Sequence, residues 1–271
     1  MKLLLACLLA AAAVPLRAQD DVRWDARVAA SSGDVVVHPA GGGDDSGAEA
    51  DMPLEEGDRV TTGENSSADI SLDGGSLIHL EPDSDFTLEK TERAQSSFLL
   101  AFGSLIAKIQ KLGSQSLTVR TPGAVAAVRG TEFGVEAGAD AQTHVGVFDE
   151  GRVEVKDDAG TAVLTPNQET TVEEGRAPMR PVALKRFVRF RTFMKAHRRR
   201  LAALRKRWRA LPPAERRARR EQFLQRMRRL RGQMAPKRRR LNQLRREKFE
   251  ERRKANLERR RNARGERRRN P

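Results

Sequence analysis

Ala68-Asp69-Ile70-Ser71-Leu72-Asp73-Gly74-Gly75-Ser76-Leu77-Ile78-His79-Leu80 is the stretch that decides the fold class. Ala68, Ile70 and Leu72 alternate with Asp69 and Ser71, the period-two pattern of a strand with one apolar face. Asp73-Gly74-Gly75 turns the chain into the arm Ser76 to Leu80, so the segment reads as a half-buried β-hairpin. The same grammar recurs downstream. His144 to Phe148, Val153 to Val155 and Ala162 to Leu164 are short runs separated by Asp149-Glu150-Gly151-Arg152 and Asp157-Asp158-Ala159-Gly160, which predicts a meander. No helical periodicity competes between residues 22 and 176, and short strands at this spacing predict a mainly β domain, a sandwich or a short β-solenoid.

Two segments of this domain need separate arguments. Ser97 to Ile109 has the composition of a helix, but Gly103 in its middle and the alternation of Leu105, Ala107 and Ile109 favour two buried strands with a bend. Ala40 to Asp51 is too polar and too rich in glycine to pack, so a mobile loop is expected there.

Toward the N-terminus, Lys2 precedes an unbroken apolar run from Leu3 to Val14, and Pro15-Leu16-Arg17-Ala18 closes it. This is the layout of a secretory signal peptide over residues 1–18, cut after Ala18, and it predicts a periplasmic or secreted protein. Pro15 and Arg17 break the run short of the roughly 20 apolar residues that span a bilayer, and no later run approaches that length, so no integral membrane segment is expected. Cys7, the single cysteine, sits too early in the apolar run for lipoprotein processing and leaves the mature chain without a disulfide.

Charge divides the chain. Residues 181–271 carry 37 Lys and Arg against 7 Asp and Glu, a net of +30; the whole chain is +15, so residues 1–180 carry −15. Phe187, Phe190, Met194, His197, Leu201, Leu204, Trp208 and Leu211 follow spacings of three and four, a helical seam that needs a partner. Pro212 and Pro213 end that helix and open a second one with Phe223, Met227, Leu230 and Met234 on its stripe, giving a basic helical hairpin over 181–234. Residues 235–271 are expected to be an Arg-rich helical or disordered tail.

Four blocks occur in order: Leu54-Glu55-Glu56-Gly57-Asp58-Arg59-Val60-Thr61-Thr62-Gly63; Ser66 to Ser76; Thr121-Pro122-Gly123-Ala124-Val125-Ala126-Ala127-Val128-Arg129-Gly130-Thr131-Glu132-Phe133; and Phe148 to Val155. Together they resemble the FecR domain family over about Val28 to Glu174, the third block being the most specific. The family's namesake is a membrane-spanning regulator that carries iron-citrate signals from an outer-membrane receptor to a cytoplasmic sigma factor. The resemblance implies its extracytoplasmic β domain used alone, since a cleavable signal, rather than a sigma-binding segment and a spanning helix, precedes it here. Direct sigma-factor regulation does not carry over.

Within the third block, Gly130 between strands suits a backbone bend, which is the favoured reading; Arg129 and Glu132 form either an ion pair or, with Gly130, Thr131 and Phe133, the candidate binding edge. Local motifs for chemistry are missing. There is no Gly-x-Ser-x-Gly elbow, Walker loop or dinucleotide fingerprint, and Tyr is absent. His38, His79, His144 and His197 are far apart and read as packing or surface residues, and Asp83-Ser84-Asp85 and Asp44-Asp45 as acidic turns facing water. No enzyme, metal or cofactor is expected. Arg198, Arg199, Arg200, Arg205, Lys206, Arg207, Lys237, Arg238, Arg239 and Arg240 are the candidate polyanion-binding residues. The expected function is a non-catalytic envelope protein whose β domain binds a protein or glycan while the tail binds an anionic envelope polymer, docks on the acidic domain or self-associates. The alternative is an extracytoplasmic sensor. Nucleic acid ranks third, because the signal peptide removes the chain from the cytoplasm.

Overall fold

The computed structural model describes residues 25–41, 45–72, 75–92, 94–110, 116–233, 247–251 and 253–254. The expected signal peptide, Lys237, Arg238, Arg239, Arg240 and most of the 235–271 tail lie outside the described residues. Nine strands make the first half: β1 (Ala26–Ser32), β2 (Val35–His38), β3 (Ser46–Gly47), β4 (Met52–Pro53), β5 (Arg59–Thr62), β6 (Ser67–Leu72), β7 (Ser76–Leu80), β8 (Asp85–Thr91) and β9 (Gln95–Lys108). The second half adds β10 (Ser116–Arg120), β11 (Val125–Val128), β12 (Glu132–Ala137), β13 (Thr143–Val147), β14 (Val153–Asp157), β15 (Gly160–Leu164), β16 (Gln168–Val172) and β17 (Val182–Ala183). Helices α1 (Val188–Arg209) and α2 (Pro213–Gln233) follow, with Pro213 at the first helical position as its fixed φ favours. Among the described residues, no helix is long and apolar enough to cross a membrane.

The strands form two sheets that share one core. One runs β4-β1-β6-β7-β9-β12-β13-β16-β17 and is antiparallel throughout. The other runs β3-β2-β5-β8-β9-β10-β11-β14-β15 and is antiparallel except for β9 with β10. β9 belongs to both. Its first half pairs with β8 and β10, and Gly103 to Lys108 pair with β7 and β12. Side chains from both layers fill the interior, including Val28, Ile70, Leu88, Leu105, Val135, Val155 and the pair Phe86 and Phe98 at 5.5 Å between ring centroids.

The changeover in β9 falls on Gly103, whose φ is +95°. A Cβ there would lie 2.5 Å from the Ser84 Cα. The Ser84 hydroxyl accepts the Ser104 N–H at 3.0 Å and donates to the Glu81 carbonyl at 2.8 Å, pinning the β7–β8 turn against the bend. The expectation of two buried strands with a bend therefore resolves into one strand of 14 residues that changes sheets at its glycine.

Three other readings are refined. The hairpin of β6 and β7 has the expected arms, but its polar side is covered too: Asp69, Ser71 and His79 are all buried. The meander is split between layers, because β13 lies in one sheet while β14 and β15 lie in the other. Residues 45–50 are packed rather than loose. β3 pairs with β2, buried Asp45 meets the His38 imidazole at 2.8 Å, and Ala48 rests on the core, so a charged partner and one strand bridge outweigh the polar composition.

Gly103→Ala is predicted to destabilise the chain by at least about 2 kcal/mol, since it adds left-handed strain and a collision with backbone. Urea unfolding of the full chain measures this; a loss under about 0.5 kcal/mol would place the constraint elsewhere.

Candidate functional site

A straight row crosses the outer face of the first sheet. Asp69 on β6 is opposite His79 on β7, His79 opposite Ile106 on β9, Ile106 opposite Gly134 on β12, Gly134 opposite Gly146 on β13, and Gly146 opposite Glu169 on β16. Directly opposed residues project from the same face, so the row presents two polar residues, one apolar residue, two bare backbone positions and a carboxylate. Helix α1 and its lead-in lie along this row. Three strand spacings of ~4.8 Å separate the glycine pair from the Asp69–His79 pair, and ten helical residues rise ~15 Å. The helix thus has the length to place Phe187 at one end and His197 at the other.

The glycine end is a socket. A Cβ on Gly134 would stand 2.6 Å from the Phe187 ring, and one on Gly146 the same distance from its other edge. The ring lies on bare backbone, fully buried, with Phe148 at 6.5 Å and Phe190 at 5.8 Å between centroids. Ile106, Phe148, Phe187, Phe190 and Met194 form a second apolar cluster, separate from the core between the sheets. Polar contacts fix the helix start. Glu169 accepts the Lys185 and Arg186 N–H groups at 3.1 and 3.0 Å, and the Arg186 guanidinium donates twice to Glu136 at 2.9 Å. Farther along, Asp149 pairs with Arg191 and, at 3.5 Å, with Lys195. Burial opposes ionisation of Asp149, but these cations outweigh it and hold the carboxyl below its ordinary value.

The polar end is a cluster of four titratable groups. His79 Nδ1 lies 2.6 Å from Asp69 Oδ1 and its Nε2 lies 3.4 Å from Glu81, while His197 Nε2 lies 3.3 Å from Asp69 Oδ2. Phe193 covers both imidazoles, 4.5 Å from His79 and stacked at 4.2 Å on His197. Burial disfavours a charged His79, yet the hydrogen bonds of Asp69 and Glu81 outweigh that cost and push its pKa up to about 9. Burial likewise acts to raise Asp69, and its hydrogen bond to His79 brings it below the ordinary carboxylate value. The expectation that the four histidines stay apart is therefore corrected for His79 and His197. Separated by more than a hundred residues of chain, they meet because α1 folds back over the hairpin. His38 and His144 remain packing residues, held by Thr61 at 3.0 Å and Thr171 at 2.8 Å.

The expected binding edge divides. Arg129 is exposed, but Thr131, Glu132 and Phe133 are buried. Gly130 takes φ +59°, the Thr131 hydroxyl accepts the Arg152 N–H at 3.1 Å, and the Glu132 carboxylate receives Lys108 at 2.8 Å. Lys108 also meets Glu150 at 3.0 Å, tying β9 to the turn before β14. In the acidic turn Asp83-Ser84-Asp85, the Asp85 carboxylate is taken by Arg59 at 3.1 Å. Of the polybasic candidates, Arg198, Arg199, Arg200, Arg205, Lys206 and Arg207 fall on α1 from its midpoint onward, with Lys206 exposed. α2 also rests on the β domain: Arg220 donates to the Leu54 carbonyl at 3.2 Å and meets Asp25 at 3.3 Å, and Phe223 packs on the core.

Gly146→Val fills the socket while suiting a strand, so it is predicted to free α1 and leave the sandwich folded. Hydrogen exchange would show protection lost at residues 187–197 and kept in β9 and β12; unchanged protection of α1 would refute the socket.

Two crystal structures of a provisionally named anti-sigma factor from Parabacteroides distasonis ATCC 8503 are similar to this chain at 18% identity and a TM-score of 0.43. Each similarity covers 48% of this chain and 61% of that one, so the chain spans less than two thirds of those structures. No curated protein matches the sequence. Residues 58–154 match the family model described as FecR protein. That stretch holds β9 and the row from Asp69 to Gly146, and it is the part of the chain that is similar to the FecR family.

Proposed function

We propose that this protein is a non-catalytic, extracytoplasmic component of a signalling system, in which the FecR domain is the sensing body and α1 its responsive element. The observation that carries the reading is the seat of α1: a FecR domain whose outer sheet face is occupied by a helix of its own chain, held by Phe187 in a glycine socket, by buried Phe190 and Met194, and by a few polar contacts. A partner that competes for that face, or a ligand that strengthens it, shifts the helix between docked and free states. The FecR match supports this role, which the sequence offered as its alternative, over that of a passive glycan or protein adaptor.

The polybasic tail adds a second element. Even if the whole net charge of residues 1–180 were neutralised by residues 181–271, +30 against −15 leaves +15 for outside partners. We therefore assign the basic C-terminal segment, including the cations on the later turns of α1, to an anionic envelope surface, each cation contributing ~1 kcal/mol near such a surface. Export with cleavage after Ala18 is part of this reading.

The test compares transcripts of native cells carrying the wild-type gene, a deletion, and Gly146→Val. The deletion is expected to change a small, defined gene set, and Gly146→Val to change the same set with the protein still present in the envelope fraction. Unaltered transcription in the deletion strain would refute the signalling role.

A further inference from the structure

We infer that Asp69, His79 and His197 form a binding site for a divalent transition-metal ion of the zinc class, which clamps α1 across the FecR sheet. This goes beyond the signalling role and stands on separate observations. One ligand atom from each of the three residues falls within 4.8 Å of the other two. They come from β6, β7 and α1, so an ion held by all three joins the sheet to the helix.

The donor set is chemically specific. Two imidazole nitrogens and one carboxylate suit borderline divalent ions and fit calcium or magnesium poorly, because those ions take oxygen ligands. Zinc bonds of ~2.0–2.2 Å at tetrahedral angles put ligand atoms ~3.3 Å apart. His197 Nε2 lies 3.3 Å from Asp69 Oδ2 and His79 Nδ1 lies 2.6 Å from Asp69 Oδ1, so the imidazoles approach the two oxygens of one carboxylate, and shifts of about an ångström bring one ligand atom of each side chain to zinc spacing. The ion takes the place of the proton shared on the His79–Asp69 contact.

The surroundings fit as well. A ligating histidine ordinarily donates its other ring N–H to a carboxylate, which fixes the ring. Glu81, 3.4 Å from His79 Nε2, stands where that outer partner belongs. Phe193 packs on both imidazoles and limits their rotation. Three protein ligands leave a fourth position for water or an exogenous donor.

The experiment uses the full chain without a histidine tag, stripped by chelator and titrated with Zn2+ by calorimetry at pH 8, and with Co2+ by visible absorption. One Zn2+ per chain at micromolar or tighter affinity is expected, with Co2+ bands of low-coordinate geometry. Zn2+ should also raise hydrogen-exchange protection at residues 187–204. His197→Ala and the size-preserving His197→Gln, both on a half-buried helical position, should each weaken binding at least ~100-fold, beyond the loss of an outer-shell partner. His144→Ala should leave it unchanged. Failure to take up stoichiometric Zn2+, or uptake that survives His197→Ala, would overturn the site. Either result leaves the transcript test of the signalling role standing on its own.

Discussion

A strand that serves two sheets must turn sharply partway along, and in β9 that turn is possible because residue 103 has no side chain. With φ at +95° and Ser84 backbone 2.5 Å from where a Cβ would be, the site excludes every other residue on both conformational and steric grounds. The bend acts well beyond its own position. The half of β9 beyond Gly103 lies between β7 and β12, and therefore brings Ile106 into line with His79 on one side and Gly134 on the other. Without the crossover, the polar pair and the glycine pair would not share a row, and a straight helix could not touch both.

The apolar seat and the ion pairs do different work in holding α1. Burying a large apolar side chain contributes ~2–3 kcal/mol, and Phe187, Phe190 and Met194 are all buried. An exposed ion pair such as Arg186–Glu136 contributes ~0.2–1 kcal/mol. The attraction between a strongly basic tail and an acidic domain is thus the weaker term at close range, despite the size of the charges. The ion pairs choose direction: Glu169 and Glu136 receive the start of the helix and Asp149 its next turns, so the seam enters the row from the glycine end.

Much of this was legible in sequence, and the limit was set by distance along the chain. The β6–β7 hairpin, the bend at Gly103 and the break between α1 and α2 are local, and each followed from alternation, a glycine or a proline. The seam Phe187, Phe190, Met194, His197 correctly called for a partner, but helical spacing does not say what the partner is. Here it is the chain's own sheet. A signal did exist in Gly134 and Gly146, since glycine inside a strand often marks close approach of another group. Nothing local pairs them, because their register depends on the β12–β13 turn and their shared occupant lies some forty residues on. The histidines failed for the same reason: ligand spacing is a local test, and His79 meets His197 only through the fold.

A buried ion pair is poor evidence of stability, because taking charges out of water commonly costs as much as their attraction returns. The polar end of the row is therefore the place where packing alone gives the least account of the residues present. Ile106, the next member of the row, shows that an apolar side chain fits against the same helix. If α1 needed only adhesion, apolar residues at Asp69, His79 and His197 would serve it better than carboxylate and imidazole. What these residues offer, and aliphatic ones cannot, is a set of donor atoms able to take the ion proposed above. The glycine socket sets where the helix sits, and an ion bound as proposed at the polar end would add to that hold. On the proposed reading, that division, an apolar anchor at one end and a chemically addressable contact at the other, would let one helix laid across a sheet change its seating while the sandwich keeps its shape.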